Sequence, residues 1–412
     1  MARKMKDSGI EWIGEIPEGW ELTKVKRIFD IGRGRVISQQ ELTSVGYPVY
    51  SSQTKNNGCL GYISTYDFDK SQLTWTTDGV NAGTVFLREG KHNCTNVCGT
   101  LAPKNDTNDL RYLKYALEYI AFYHKRADIN GFKIMNNEMA EIELLLPPLF
   151  EQQNIANYLD FKCSQTQSIL EQSLFSIEEY KKLKQAVITQ AVTKGVRGER
   201  EMKDSGVEWI GEIPKEWVCE KIKYATSISR GLFNHRPRND ERYYNGKYPF
   251  IQTGDVANAT KYIVSYSQTL NELGKSVSKK FPKGTLTMTI AANVGDVAIL
   301  NFDAYFPDSV VGFIPNKNIR TLYLFYVFSA MKDEFTRTAI KSTQLNLNID
   351  RVKETFIPVT LNVNEQCEIE NYLESKCAEI DGLIAKKEQL VKELESYKKS
   401  LIYEVVTGKR EV

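Results

Sequence analysis

The chain is 412 residues long, which is enough for two or three domains that each bury a hydrophobic core. With 42% hydrophobic and 26% charged residues, the composition excludes an intrinsically disordered protein. The 54 basic residues nearly balance the 52 acidic ones, and the net charge of +2 is a poor match to a protein that grips DNA through bulk positive charge alone.

The sequence does not predict secretion, membrane insertion or metal binding. The residues after Met1 lack a secretory signal, and no stretch approaches about 18 consecutive apolar residues, so we expect a cytoplasmic protein. The seven cysteines include no C-x-x-C pair, and we expect them to be reduced thiols. Only three histidines are present, none at ligand spacing from a cysteine pair, so we expect no metal site.

The chain opens with a segment that returns 197 residues later. Residues 5–26 and 202–223 are identical at fifteen of 22 positions, and weaker matches follow in the same order through the rest of the chain. One unit of about 200 residues is therefore written twice, with the second copy 17 residues longer in its middle. Four of the five tryptophans lie in the repeated segment, where packing or a partner-binding surface is favoured over base stacking: Trp12, Trp20, Trp209 and Trp217.

The middle of each copy, residues 27–146 and 224–357, differs from the other and is rich in short β-strand patterns. Runs such as 285–290 carry β-branched and apolar residues between Gly, Pro, Asn and Asp turn signals. One helical pattern interrupts each middle, from 109 to about 123 and from 321 to about 335. We therefore predict one α/β domain in each copy, and because the middles differ, we expect them to meet different surfaces.

Each domain is followed by a long segment that predicts a helix, since no proline interrupts residues 149–213 or 359–412. In the second copy the apolar residues follow the 4-3 alternation of a coiled-coil seam. The first copy is less regular, because Ser173 occupies a seam position while Leu170 and Ile177 suggest a local shift of the apolar stripe. The predicted seam residues are Ile155, Leu159, Ile169, Leu183, Val187, Ile369, Leu373, Ile380, Leu383, Leu390, Leu394 and Leu401.

The two predicted helices carry apolar stripes of similar length, so packing them on each other would bury both. The alternative is that each helix packs only on its own domain. The order domain, helix, domain, helix requires the second helix to run back, which makes the pair antiparallel. The predicted fold class is thus α/β, with two α/β domains joined by two long helices in an antiparallel coiled coil and a pseudo-twofold internal repeat. The predicted boundaries are 1–148 for the first domain, 149–197 for the first helix, 198–358 for the second domain and 359–412 for the second helix.

Two unlike domains joined by a rigid coiled coil are held at a fixed distance from each other. Modules that read DNA from one face are spaced near one helical turn, about 34–36 Å, or a multiple of it. A rod of about 33 helical residues, roughly 50 Å long, suits that spacing. We therefore predict an asymmetric target of two half-sites with unread bases between them. Because the net charge is small, either basic residues cluster on one surface or partner subunits share the phosphate contacts.

Three segments resemble the specificity subunits of Type I restriction–modification enzymes, the HsdS family. They are the DSGIEWIGEIPEGW segment at 7–20, the LPPLFEQQ junction at 146–153 and the TQLNLNI run at 343–349. The resemblance covers essentially the whole chain in the family's order. It implies two target recognition domains on two spacer helices, in a protein that reads double-stranded DNA without catalysing a reaction.

The resemblance also implies partners. Two adenine-N6 methyltransferase subunits would bind S-adenosylmethionine, and restriction subunits, where present, would use ATP and Mg. The chain itself would bind no cofactor. Shared phosphate contacts within such an assembly would account for the near-neutral charge.

The candidate DNA-reading residues are polar residues on loops, since direct readout of base edges uses Asn, Gln, Arg, Lys, Ser and Thr. Arg33 and Arg230 share a position in the repeat, and we expect them to contact phosphates or the scaffold. For any other single residue, a solvated turn is an equally good interpretation. In the first domain the candidates are Ser52, Gln53, Thr54, Lys55, Asn56, Asn57, Thr76, Thr77, Asp78, Asn81, Lys133 and Asn136. In the second they are Gln252, Thr253, Asp255, Thr289, Asn293, Lys341, Ser342, Gln344 and Asn346.

Two other functions compete with DNA reading. The first is catalysis, but the sequence has no N-P-P-Y or D-P-P-Y adenine site, no G-x-G-x-x-G and no G-x-x-x-x-G-K-[ST] phosphate loop. The second is a coiled-coil scaffold that never touches DNA. The divergence of the paired domains argues against it, because a symmetric adaptor has little reason to differ at its two ends.

Overall fold

The computed structural model describes residues 3–11, 13–129, 131–338, 340–341 and 345–412, and for residues 338, 340, 341, 345 and 346 it describes the backbone alone. These residues form two compact units. The first comprises the described residues up to Leu174 together with Glu388–Val412, and the second comprises Phe175–Lys387. Each unit therefore holds one globular domain and a part of both long helices.

The first unit is built around a four-stranded antiparallel sheet. Its strands lie in the order Phe29–Arg33, Cys98–Pro103, Gln72–Thr76 and Val85–Arg88. Every residue of the third of these strands is buried, which suits a central strand of Thr, Leu and Trp. The helix Leu110–His124 packs against the sheet. It begins where the Asp109 carboxylate accepts hydrogen bonds from N–H groups of the first turn.

Smaller elements complete the first unit. The strands of its other sheets are Asn93–Cys94, Tyr47–Tyr50 and Cys59–Ile63; Arg126–Asp128, Gly131–Lys133 and Asp78–Gly79; Glu143–Leu146 and Glu21–Lys24; and Met5–Asp7 and Glu15–Pro17. Its short helices are Val25–Ile28, Gln39–Glu41, Lys55–Gly58 and Asn136–Glu141.

The second unit repeats this arrangement. Its central sheet has the strand order Thr226–Arg230, Val310–Pro315, Leu286–Thr289, Val297–Leu300 and Tyr262–Ile263. The first four strands are antiparallel neighbours, as in the first unit, and the fifth adds a parallel edge. The helix Thr321–Ala330 packs against this sheet as its counterpart does in the first unit. The predicted α/β class and internal repeat are therefore confirmed.

The remaining elements of the second unit surround the sheet. Its other strands are Gln268–Leu270, Tyr244–Phe250, Ala304–Tyr305 and Lys280–Phe281; Val218–Lys221 and Phe356–Val359; Met202–Asp204 and Glu212–Pro214; and Ile340–Lys341 and Leu345–Asn346. Its short helices are Ile222–Ala225, Glu241–Tyr243, Thr253–Ala257, Glu272–Ser276, Lys332–Thr338 and Ile349–Glu354.

The repeated segment is anchored to each long helix by a buried tryptophan. Trp20 and Trp217 are each at most 1% exposed. The indole Nε1 of Trp20 donates to Glu151, and that of Trp217 donates to Glu365, both at 3.1 Å. Both tryptophans therefore pack against the start of a long helix, which explains why Trp and Glu recur at these positions. Trp12 lies outside the described residues.

The long helices are Leu149–Lys194 and Val363–Val406. In the first unit, Ile155 near the start of the first helix shares a core with Leu401 near the end of the second. In the second unit, Val192 near the end of the first helix shares a core with Ile369 near the start of the second. The helices therefore run antiparallel, as predicted, and they do not pack only on separate domains.

The predicted seam residues differ in burial. In the irregular first helix, Ile169 and Leu183 are 44% and 48% exposed, while the buried stripe passes through Leu170, Ser173 and Ile177. An unsupercoiled helix drifts by about 20° per heptad relative to a strict seven-residue repeat, which moves the buried face to neighbouring positions. Of the predicted seam, Ile155, Leu159, Ile369, Leu373, Ile380 and Leu401 are buried, Val187, Leu390 and Leu394 are half-buried, and Leu383 is exposed.

Candidate nucleic-acid interface

In the first domain, two of the predicted reading segments lie side by side. The strand Asp78–Gly79 pairs with Gly131–Lys133, and this places Lys133 directly opposite Asp78. The N–H of Ile134 donates to the carbonyl of Thr77 at 2.9 Å. The segment that begins at Thr76 and the segment that leads to Asn136 therefore form one ribbon.

A turn at 95–98 connects this ribbon to the third predicted segment, residues 52–57. The Thr77 hydroxyl donates to the carbonyl of Val97 at 3.1 Å. On the other side of the turn, the Thr95 hydroxyl donates to the Ser51 hydroxyl at 3.2 Å, and its N–H donates to the carbonyl of Tyr50 at 2.8 Å. The first domain thus brings all three predicted segments to one end of its sheet.

Arg33 lies at the same end. The strand that ends at Arg33 is held there because the Asn136 side-chain amide donates to the Gly32 carbonyl at 3.1 Å. The Arg33 guanidinium itself contacts the Met135 sulfur at 3.6 Å and is exposed. Its charge is therefore available to a phosphate.

The candidates of the first domain divide by exposure. Thr76 and Thr77 are completely buried, and the Gln53 amide donates to the carbonyl of Cys59, so these side chains shape the loops. Asn56 and Asn57 are exposed with φ values of 50° and 53°, a conformation that Asn tolerates better than most residues. The other exposed candidates are Thr54, Lys55 and Asn81, and the half-buried ones are Ser52, Asp78, Lys133 and Asn136.

In the second domain, the side chains of two candidates form hydrogen bonds with the backbone. The Asp255 carboxylate accepts hydrogen bonds from the N–H of Gln252 at 2.7 Å and from the N–H of Ser267 at 3.1 Å. Thr289 is completely buried, and its hydroxyl donates to the carbonyl of Asn293. Both residues hold turns, whereas Asn293 is exposed, Thr253 is half-buried, and half-buried Gln252 reaches the side chain of Gln268 at 2.9 Å.

The last segment of the second domain meets the end of the central strand Leu286–Thr289. The N–H of Leu347 donates to the carbonyl of Ile290 at 2.9 Å, which places the strand Leu345–Asn346 beside it. The helix Thr253–Ala257 packs against the same central strand. Among the candidates here, Ser342 and Gln344 lie outside the described residues, and only the backbones of Lys341 and Asn346 are described.

A basic loop in the second domain was not among the predicted candidates. Arg236 and Arg238 are both exposed and both pair with Asp308, whose carbonyl accepts a hydrogen bond from the Arg230 side chain at 2.6 Å. The loop therefore places two cations beside the predicted phosphate contact. The signal was the H-R-P-R run at 235–238, in the middle where the second copy is longer than the first.

The described part of the chain bears on the predictions about metal ions, cysteines and membrane spans. Within the described ranges, no group of His, Cys, Asp and Glu is arranged to hold a metal ion. Burial raises the pKa of the Cys163, Cys219 and Cys377 thiols, which keeps these groups protonated and poorly nucleophilic at neutral pH. Over the same ranges, no helix is long and apolar enough to cross a bilayer.

The chain is similar in sequence to known DNA specificity proteins. The family model of the type I restriction modification DNA specificity domain matches residues 17–179 and again residues 228–393. A Mycoplasma pneumoniae protein named as a type I specificity subunit is 29% identical over 343 residues, covering 81% of this chain and 84% of that protein. The specificity subunit of the M. pneumoniae type I restriction enzyme MpnII is 33% identical over 214 residues, covering 51% and 57%.

Solved structures share the fold. A chain from a type I restriction–modification complex has a TM-score of 0.73 at 13% identity, covering 96% of this chain and 99% of that one. The HsdS subunit of Thermoanaerobacter tengcongensis has a TM-score of 0.50 at 14% identity, covering 96% and 98%. The two matches of the family model fall on the two copies of the internal repeat and span most of the sequence. The chain therefore belongs to the type I restriction–modification DNA specificity family, and the relatives above are named as specificity subunits.

Proposed function

We propose that the chain reads an asymmetric, bipartite DNA target, with one half-site read by each domain. The observation that carries the proposal is a duplicated sheet whose loops differ. At the end of strand Tyr47–Tyr50 the first domain presents an exposed Lys-Asn-Asn loop, whereas the second presents the helix Thr253–Ala257 after Tyr244–Phe250. Similar sheets with different loops suit two unlike half-sites. The target recognition domains would correspond to residues 1–148 and 198–358, and the antiparallel helices to the spacer between them.

Exposure separates the roles of the candidate residues. Base contacts would come from exposed amide and Lys side chains, such as Lys55, Asn56 and Asn293, because these reach donor and acceptor groups in the major groove. Buried Thr77 and Thr289 would shape the loops. Arg33 and Arg230 would contact phosphates, as would Arg236 and Arg238.

The partners would be two copies of one adenine-N6 methyltransferase subunit that carries S-adenosylmethionine. Three pairs of identical residues on the repeated segment support a partner that binds twice: Lys6 and Lys203, Glu11 and Glu208, and Glu15 and Glu212 are all exposed. Core packing does not require identical residues at exposed positions. The binding of two copies of the same partner surface does require them. Restriction subunits that use ATP and Mg would join this assembly.

Methylome sequencing tests the proposal. In a host that expresses the chain with its methyltransferase, we expect a single split, non-palindromic motif with modified adenine in both halves. The chain alone, incubated with DNA and labelled S-adenosylmethionine, should transfer no methyl group. A palindromic or unsplit motif would contradict the proposal. Footprinting of the assembled complex tests the scaffold alternative, which predicts no bipartite protection.

A further inference from the structure

The first domain buries a cation directly beneath the loop at 53–58. Arg88 ends the strand Val85–Arg88 and is 1% exposed, although arginine is almost never fully buried unless it is paired. Its guanidinium lies over the ring of Tyr50, 3.6 Å from the centroid. Its Nε donates to the Thr74 hydroxyl at 3.0 Å, and its Nη1 donates to the carbonyl of Asn57 at 2.7 Å. All three partners are neutral, and in the described part of the chain no carboxylate forms an ion pair with Arg88.

The second copy has an apolar residue at this position. Val85 corresponds to Val297 in the repeat, and the two strands pair in the same register, so Arg88 corresponds to Leu300. Leu300 lies in an apolar cluster with Val256, which anchors the helix Thr253–Ala257. In the second domain, the helix that follows strand Tyr244–Phe250 is therefore held by apolar packing. In the first domain, the loop at 53–58 that follows strand Tyr47–Tyr50 is held by a hydrogen bond from the Arg88 cation to its backbone.

The loop fits closely over the guanidinium. Gly58 has a φ of 78°, and a Cβ at this position would lie 2.8 Å from Nη2 of Arg88. Only glycine allows the backbone to approach so closely in this conformation. Among the described residues, Nη2 has no hydrogen-bond partner, so the cation retains an unused donor under the loop. Lys55, Asn56 and Asn57 are held on the exposed side.

We propose that Arg88 is a positioning residue for one half-site, which fixes the backbone of the loop at 53–58 and places a positive charge beneath its exposed residues. The inference rests on the proposed role of this loop in reading DNA. A charge in a buried, low-dielectric setting acts over a longer range than one in water, so it favours the approach of the DNA backbone to the loop.

The test uses the full chain assembled with its methyltransferase. Arg88→Leu introduces the residue of the second copy. We expect discrimination between bases in one half-site to fall about tenfold, as for the loss of a base contact, while the other half-site is unchanged. The matched control is Leu144→Ala, which removes a buried side chain from a strand that pairs with Glu21–Lys24, away from the loop. This control should lose thermal stability and keep both half-sites. Equal loss in both half-sites, or the same loss in the control, would overturn the inference.

A second variant separates geometry from charge. Arg88→Lys keeps the cation but cannot donate in a fork to both Thr74 and Asn57. We expect it to discriminate as poorly as Arg88→Leu, while only Arg88→Leu reduces the slope of log affinity against log salt. Full discrimination by Arg88→Lys would refute the positioning role.

A loop variant distinguishes this inference from the proposed function. If the double variant Lys55→Ala, Asn56→Ala leaves the methylated motif unchanged, the loop does not read DNA, and both the proposed role of this loop and the inference on Arg88 fail, while the bipartite target stands. If it alters one half-site and Arg88→Leu does not, the role of Arg88 alone is refuted.

Discussion

At the scale of single residues, the same glutamate contact occurs in both copies but is more deeply buried in the second. Glu151 and Glu365 each accept a hydrogen bond from a tryptophan and pair with an arginine, Arg3 and Arg200 respectively. The side chain of Glu151 is 23% exposed, whereas that of Glu365 is 1% exposed. A charge that is desolvated loses more when its partner is removed, so identical contacts should differ in energetic weight.

This difference leads to a matched pair of substitutions. Glu365→Ala should lower the free energy of unfolding by about 3 kcal/mol, because it removes the buried acceptor of the Trp217 indole and the Thr360 hydroxyl and the most buried ion-pair partner of Arg200. Glu151→Ala should cost about 1 kcal/mol, because water reaches the groups it leaves behind. Urea unfolding of both variants measures the difference. Equal losses would show that burial does not set the strength of this contact.

A second residue-scale prediction concerns pH. Glu141 accepts hydrogen bonds from Lys24 at 2.7 Å and from Lys26 at 2.5 Å, and these hold its pKa at about 2. Because the folded pKa lies below the unfolded value of about 4.3, the stabilisation is complete above that value and is lost as the pH falls towards 2. Glu141→Gln should therefore lower Tm at pH 7 by a small amount, since the group is exposed, and by less at pH 3.

The matched control for this measurement is Glu18→Gln, which changes an exposed glutamate on a turn. Its Tm should follow the unsubstituted chain at both pH values. If the Tm difference for Glu141→Gln grew as the pH fell, the sign of the linkage would be wrong.

At the scale of elements, the long helices show what periodicity can and cannot predict. The absence of proline and the 4-3 pattern predicted two helices and the buried ends of the seam, and the order of domains and helices along the chain predicted their antiparallel pairing. The pattern did not predict which face is buried in the middle of the first helix. There Ile169 is an apolar residue in the predicted register but is exposed, whereas Ser173 is polar and buried. Packing neighbours decide that choice, and a single sequence does not contain them.

Adjacent residues of the first helix test this shift of the stripe. Leu170 is 7% exposed, so Leu170→Ala should cost about 2–3 kcal/mol in the free energy of unfolding. Ile169 is 44% exposed, and Ile169→Ala should cost less than about 1 kcal/mol, because Ala also has the higher helix propensity. Chemical denaturation compares the two variants. A larger loss of unfolding free energy for Ile169→Ala would contradict the shift and would indicate the strict heptad register.

At the scale of the whole molecule, the duplicated sequence predicted the duplicated architecture, while the loops depended on tertiary contacts. Residue type alone made Asp255 and Thr289 candidates for base contacts, but the first is occupied by backbone N–H groups and the second is buried. Neither property can be read from the amino-acid sequence. Arg88 was missed for the converse reason, since a buried arginine in a strand gives the same local pattern as an exposed one.

Exchange of the variable segment of one copy tests whether each domain reads its own half-site. Residues 27–146 would be replaced by the corresponding segment of a family member with a known target, and the methylated motif would be determined by sequencing in a host that supplies the methyltransferase. We expect one half of the motif to change to that of the donor, while the other half keeps its sequence. A change in both halves, or in neither, would contradict a protein that reads each half-site with a separate domain.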